Sequence, residues 1–198
     1  MKKTIILTMI IYAILLTGRA QAALFFEDFE SGLSNWTGKD QGAHHGEIVT
    51  DPFNSENHVL HFTGLNGGGD IFTINTFSSS NSQFVLSFDY LGRLSQDSGG
   101  YIGYSYSFPG DHTWLAGTKN EPNRIELPDT GNWEHVEIPF QANGEIHLML
   151  EEYQGSDRRV GNAYFDNIKL SAVPLPSAIW LLGAGLGLLG MSRKSKAS

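Results

Sequence analysis

The middle of this chain is written with a period of two. In SQFVLSFDYLG, Phe84, Leu86, Phe88 and Tyr90 share one side, and in YIGYSYSF, Ile102, Tyr104, Tyr106 and Phe108 do. EHVEIPF contributes Val136, Ile138 and Phe140, EIHLML contributes Ile146, Leu148 and Leu150, and AYFDNIKL contributes Tyr164, Ile168 and Leu170. HVLHFTG and DIFTINTF are weaker members of the set. Side chains alternate sides along an extended chain, so such runs, bounded by Gly, Asn, Asp and Ser, predict half-buried strands. No stretch between residues 23 and 172 holds a helical period for several turns. Strands with one apolar face bury it by packing sheet on sheet. The expectation is an all-β sandwich, with a closed barrel as the alternative.

The two ends read differently. Residues 1–22 open with Lys2 and Lys3, continue as an apolar run and close on Ala20-Gln21-Ala22. That order predicts a secretory signal peptide and therefore an exported protein. Residues 173–198 hold Val173, Pro174, Leu175 and Pro176, then SAIWLLGAGLGLLGM, then Arg193, Lys194 and Lys196. As a helix that apolar run covers about 22 Å, short of the roughly 30 Å hydrocarbon core. A short, marginal transmembrane helix follows, with the basic end held on the cytoplasmic side. The remaining residues 23–172 have the size of one domain.

Export without a single cysteine excludes disulfides as the stabilising device. All 21 acidic residues lie within 23–172, against seven basic ones, for a formal charge of −14 there. Such a surface repels nucleic acid and anionic lipid, and suits neutral ligands, cations or simple solubility.

Few motifs point to chemistry. GLNGGGD at 64–70 lacks the lysine and the strand-to-helix setting of a phosphate loop, and no GxSxG elbow is present. His44, His45, His58 and His61 cluster in sequence, but the spacing of HVLH sends His58 and His61 to opposite faces of a strand. Asn35-Trp36-Thr37 matches a glycosylation sequon. Trp36 and Trp133 read as packing residues. Trp114 stands in FPGDHTWLAG, a predicted loop, beside Asp111 and His112, and is the best ring to receive a ligand. Tyr153, Arg158 and Arg159 in EEYQGSDRRVG form a second candidate contact, suited to a carboxylated glycan. Tyr104 and Tyr106 share the core phase, and Tyr101 falls on the other face.

The carboxylates at the two ends of the domain are the candidate metal ligands. Period two places Asp166 on the same side as Ile168 and Leu170, and an inward carboxylate must be paired, hydrogen-bonded or bound to a cation. In LFFEDFESG the inward phase is undecided, because both phases hold phenylalanine. If the first and last strands meet, Asp28 or Glu30 approaches Asp166, and calcium suits such an oxygen-rich group.

FEDFESGLSNW, and GNWEHVEIPF followed by AYFDNIKLS, resemble jelly-roll domains of the carbohydrate-binding-module and galactose-binding-like kind, over most of 25–171. The resemblance implies a jelly-roll β-sandwich of two antiparallel sheets. It also implies a structural calcium joining the first strand to the last, with Glu30 of FESG and Asp166 of FDNI as ligands. Asn167 stands where many such domains have a second Asp. The tail resembles the PEP-CTERM sorting signal, with Leu175 in place of the usual glutamate. By that resemblance an exosortase-type membrane protease cleaves near Pro174–Pro176, and the protein reaches the cell surface or the medium of exopolysaccharide-producing, biofilm-forming cells. The expected function is non-catalytic binding of carbohydrate or matrix polysaccharide. A structural envelope protein without a small ligand, or an exported hydrolase, are the alternatives.

Overall fold

Alternating sequence becomes strands throughout the domain. The structure, a computed structural model, describes residues 22–38, 46–62, 69–92, 100–107, 111–117, 124–152 and 162–173. These residues form β1 (Ala22–Glu27), β2 (Trp36–Gly38), β3 (Glu47–Asp51), β4 (Asn54–Phe62), β5 (Gly69–Thr73) and β6 (Gln83–Gly92). They continue as β7 (Gly100–Ser105), β8 (His112–Gly117), β9 (Ile125–Glu126), β10 (Trp133–Gln141), β11 (His147–Glu152) and β12 (Ala163–Ala172). The signal peptide and the sorting helix expected at the ends lie outside the described residues. So do Phe108, Tyr153, Arg158, Arg159, Pro174 and Pro176.

The first sheet runs β10-β6-β12-β4-β3, with β1 also paired to β12, and the second runs β2-β5-β11-β7-β8-β9. Among the described residues these strands pair antiparallel except for the two-residue β9, which lies parallel to β8. From β4 to β7, and again from β10 to β12, each strand crosses to the other sheet. Neighbours are therefore distant in sequence: β6 lies beside β12, and β7 beside β11. That wrapping is the double Greek key of a jelly roll. Two separate sheets, each with its own edges, stand where the barrel alternative would have one closed sheet.

The inner faces carry the residues that alternation singled out. Phe84, Leu86, Phe88 and Tyr90 of β6, Ile102 and Tyr104 of β7, and Leu148 and Leu150 of β11 are buried in one core. Phe140 stacks on its first-sheet neighbour Phe84 and on Tyr104 of the second sheet, each ring centroid 5.2 Å away and each plane within 20°. This stack joins the two layers directly, and each such pair adds about 0.5–1.5 kcal/mol beyond its buried area. Tyr106 differs from expectation: it is 42% exposed, because β7 ends at Ser105, and its ring meets the edge of Tyr104.

The last strand also departs from simple alternation. Across β12 and β6, Asp166 pairs with Asp89 but Lys169 pairs with Ser87, so β12 holds one extra residue. That bulge contains Asn167 at φ 49°, a left-handed conformation asparagine accepts more readily than most residues. It changes the phase of the strand. Ala163 and Phe165 face the core before it, and Ile168 and Leu170 after it. Tyr164 therefore joins Val59 and Leu91 in a small cluster on the outer face, not the core. Asp166 shares the phase of Tyr164, which corrects the reading that put it beside Ile168 and Leu170.

The inward phase of the first strand is that of Phe25, Glu27 and Phe29. Phe29 is fully buried, whereas Phe26 is 54% exposed. Glu27 is only 3% exposed and accepts three hydrogen bonds: from the Phe29 backbone N–H (3.1 Å), Asn35 Nδ2 (3.0 Å) and Trp36 Nε1 (3.0 Å). It thereby joins β1 of the first sheet to β2 of the second. It also braces Phe29, whose φ of 56° is unfavourable for a bulky residue. The sequon asparagine, Asn35, is engaged in this same clasp. Glu27→Ala should cost on the order of 3 kcal/mol, since it strands a buried indole N–H and two further donors. Urea unfolding followed by tryptophan fluorescence would measure it. A variant as stable as the parent would show that Glu27 is not the clasp.

Candidate functional site

The second sheet turns a mixed aromatic and polar face outward. Alternation puts Ile71, Leu148, Leu150, Ile102 and Ala116 into the core. The other phase supplies the outer face. Register sets it out in rows: Asp70, Glu151, Tyr101 and Gly117 in one, and Phe72, Met149, Gly103 and Trp114 in the next. His112 follows, opposite Ser105. Phe72, Met149 and Tyr101 are buried and form a floor, while Trp114 is half-buried and His112 exposed.

Trp114 faces outward because of a second bulge. Ile102 pairs with Ala116, but Gly103 pairs with Trp114, leaving Leu115 as the extra residue of β8. Ala116 lies in the core and Leu115 packs against it, so the phase changes and the indole emerges on the outside. Gly103 permits this. A Cβ there would stand 2.1 Å from the Thr113 carbonyl oxygen, so the two backbones could not approach. Gly117 performs a related task, since a Cβ on it would lie 2.2 Å from Tyr101 Cδ1. The Tyr101 ring occupies the space that a side chain at 117 would need. Glycine inside a strand signals close approach of this kind, and that signal was present in YIGYSYS and HTWLAG.

Around the indole the rings are set at angles. Tyr101 lies 5.7 Å away with its plane tilted by 51°, and His112 lies 5.1 Å away, tilted by 40°. The Arg124 guanidinium stands 4.6 Å from the centre of the Tyr101 ring, a cation–π contact. Asp111 is exposed and accepts a hydrogen bond from Ser107 Oγ at 3.1 Å. Sequence reading placed Trp114 in a loop; it lies on β8, with His112 at the start of the same strand and Asp111 just before it. A half-exposed indole flanked by Tyr101 and His112 offers a flat apolar surface next to groups that can hydrogen-bond. Tyr101, which the strand phase puts on the outer face as a candidate contact, belongs to this arrangement, as do Gly103, Gly117 and Arg124, the last of which nothing in the sequence pattern singles out.

Of the candidate metal ligands, Asp28 lies near enough to Asp166 for its charge to act on it, while Glu30 is engaged by His58. Glu30 is exposed and accepts from the His58 backbone N–H, with His58 Nδ1 on its other oxygen, both at 2.8 Å. These hydrogen bonds, first the backbone one, hold its carboxyl below the usual range. Asp28 accepts the Glu30 N–H at 3.3 Å. Asp166 accepts the Asn167 N–H at 2.7 Å on one oxygen, and Asn57 Nδ2 (3.0 Å) and Asn167 Nδ2 (3.2 Å) on the other. Burial pushes its carboxyl up despite those donors, and the charges of Asp89 and Asp28 act in the same direction. Among the described residues, no group of three or more His, Cys, Asp or Glu side chains is placed to hold a metal ion. N–H donors meet both oxygens of Asp166.

No family model and no curated protein matches this chain. Solved structures do resemble it. The K1 cleaved adhesin domain of Lys-gingipain from Porphyromonas gingivalis matches with a TM-score of 0.53 at 16% identity, over 76% of this chain and 98% of that one. The K3 cleaved adhesin domain of the same protein gives a TM-score of 0.54 at 13% identity, over 77% of this chain and 99% of that one. The CBM22-1-GH10 modules of Clostridium thermocellum xylanase 10B, complexed with xylohexaose, give 0.53 at 12% identity, over 77% of this chain and 29% of that one. At such identities the likeness is one of fold: this domain is an all-β, jelly-roll-like module similar to a structure containing a carbohydrate-binding module and to adhesin domains.

Proposed function

We propose that this protein is an exported, non-catalytic module that binds polysaccharide through the outer face of its second sheet, at Trp114. The observation that carries this reading is the indole itself. A bulge and a strand glycine turn it out of the core, when simple alternation would have buried it. An apolar ring held half-exposed on a rigid strand suits the C–H face of a pyranose, and His112 and Tyr101 lie against that ring, with Asp111 next to His112 in the chain and Arg124 over Tyr101. Arg158 and Arg159 are proposed to assist if the glycan carries carboxylates. The fold is shared with part of a two-module xylanase structure complexed with xylohexaose and with adhesin domains, which supports the reading as analogy of fold. The ends of the sequence support export, transient membrane association through the C-terminal helix, and cleavage near Val173, Pro174 and Pro176 by an exosortase-type membrane protease. The polysaccharide partner is then the matrix outside the cell.

Native gels containing soluble polysaccharides test the binding. Retardation of the parent protein by at least one glycan is expected. Trp114→Ala should weaken it by about 30-fold, the loss of a roughly 2 kcal/mol anchor, with melting unchanged. Unaltered retardation in that variant would refute the site. Gly117→Val should also weaken binding while leaving Trp114 in place, because its side chain displaces the Tyr101 ring; binding at parental strength would show that Tyr101 does not set the platform. For the processing step, the C-terminal peptide of the secreted protein should end near residue 176, and a peptide ending at Ser198 would contradict cleavage.

A further inference from the structure

The outer face of the first sheet holds a row of three carboxylates spaced by two amides. Asn57 Nδ2 lies 3.2 Å from Asp51 Oδ2 and 3.0 Å from Asp166 Oδ2. Asn167 Nδ2 lies 3.2 Å from Asp166 Oδ2 and 2.8 Å from Asp89 Oδ2. An amide nitrogen carries two hydrogens, so each can serve two carboxylates at once. The row is closed at both ends. Trp133 Nε1 donates to Asp51 Oδ1 at 3.2 Å, and His135 Nδ1 meets Asp89 Oδ1 at 2.6 Å. Its members come from β3, β4, β12, β6 and β10, so it crosses the main path of the sheet from edge to edge.

Carboxylates brought this close repel one another and ordinarily call for a cation between them. Here the positions between them are filled by N–H donors. We propose that Asn57 and Asn167 take the place of a divalent cation, their amide hydrogens bridging Asp51, Asp166 and Asp89, so that the sheet holds its last strand without calcium. The bulge makes this possible. It turns Asp166 outward and sets Asn167 at φ 49°, from which its side chain reaches both Asp166 and Asp89. The inference is independent of ligand binding, which lies on the other sheet.

Exchanging one amide for a carboxylate should restore the need for a cation. Asn167→Asp keeps the size of the side chain, and aspartate tolerates the same backbone conformation. It replaces two bridging donors with acceptors. Melting of the full chain is measured in chelator and in excess calcium chloride. The parent should melt within about 1 °C in both; Asn167→Asp should melt about 5 °C or more lower in chelator and recover with calcium. Asn57→Asp, outside the bulge, provides the same test should Asn167→Asp fail to fold, and the same pattern is expected of it. A parent stabilised by several degrees on adding calcium would overturn the proposal. So would variants that melt like the parent in chelator, or variants that lose stability and do not regain it with calcium.

Discussion

A strand buried on one face can obey the period of two only while its backbone stays regular. Among the described residues register shifts at three places, at Thr50–Asp51 of β3 and within β12 and β8, and the last two each decide which way a particular side chain points. At Asn167 one extra residue in β12 lets Phe165 and Ile168 both enter the core while Asp166 faces out. At Leu115 one extra residue in β8 keeps Ala116 inside and releases Trp114. Each bulge has its own local device: asparagine in a left-handed conformation at the first, and glycine opposite the second, where any Cβ would strike the facing backbone. The core gains continuity from both, and the outer faces gain groups that alternation alone would have placed inside.

Polar groups that enter or approach the interior are satisfied by side chains from distant parts of the chain. Glu27 is saturated by the turn that follows it and by the indole N–H of Trp36, which closes one end of the sandwich. Leaving any of these buried groups unpaired would cost more than the bonds themselves contribute. By contrast, Glu30 and His58 form an exposed pair whose net worth is small, because water screens it. The energetic centre of the N-terminal segment is therefore Glu27, one residue before the pair of acids that drew notice in the sequence.

Much of the fold was legible because it rests on local pattern. The sides of β6, β10 and β11 follow from alternation, and so does the separation of His58 from His61. The two-sheet architecture follows from the need of many half-apolar strands to cover one another. Where sequence reading stopped, the deciding interaction was not local. The phase of FFEDFE could not be chosen between two sets of phenylalanines, and the choice is made by Trp36, nine residues on. The phase of Asp166 is not legible, because a bulge leaves no mark in the periodicity; only an asparagine that accepts positive φ hints at it. HTWLAG read as a loop for a similar reason, its alternation being interrupted at Leu115. The partners of Trp114, namely Tyr101, Arg124 and Gly117, come together through register across strands and through a short parallel edge.

Function on this scaffold depends on which outer face receives a ligand. The first sheet presents an amide–carboxylate row that is internally satisfied, and the second presents a half-exposed indole over a floor of buried rings. Satisfied hydrogen bonds give a ligand little to gain, whereas an exposed ring surface gains from being covered. The proposed binding therefore falls to the second sheet. Hydrogen exchange of backbone amides, with and without a retained polysaccharide, tests this most directly. Protection concentrated in β7 and β8 around Tyr101 and Trp114 is the predicted result. Protection confined to the first sheet around Trp133 and Asp89 would contradict it.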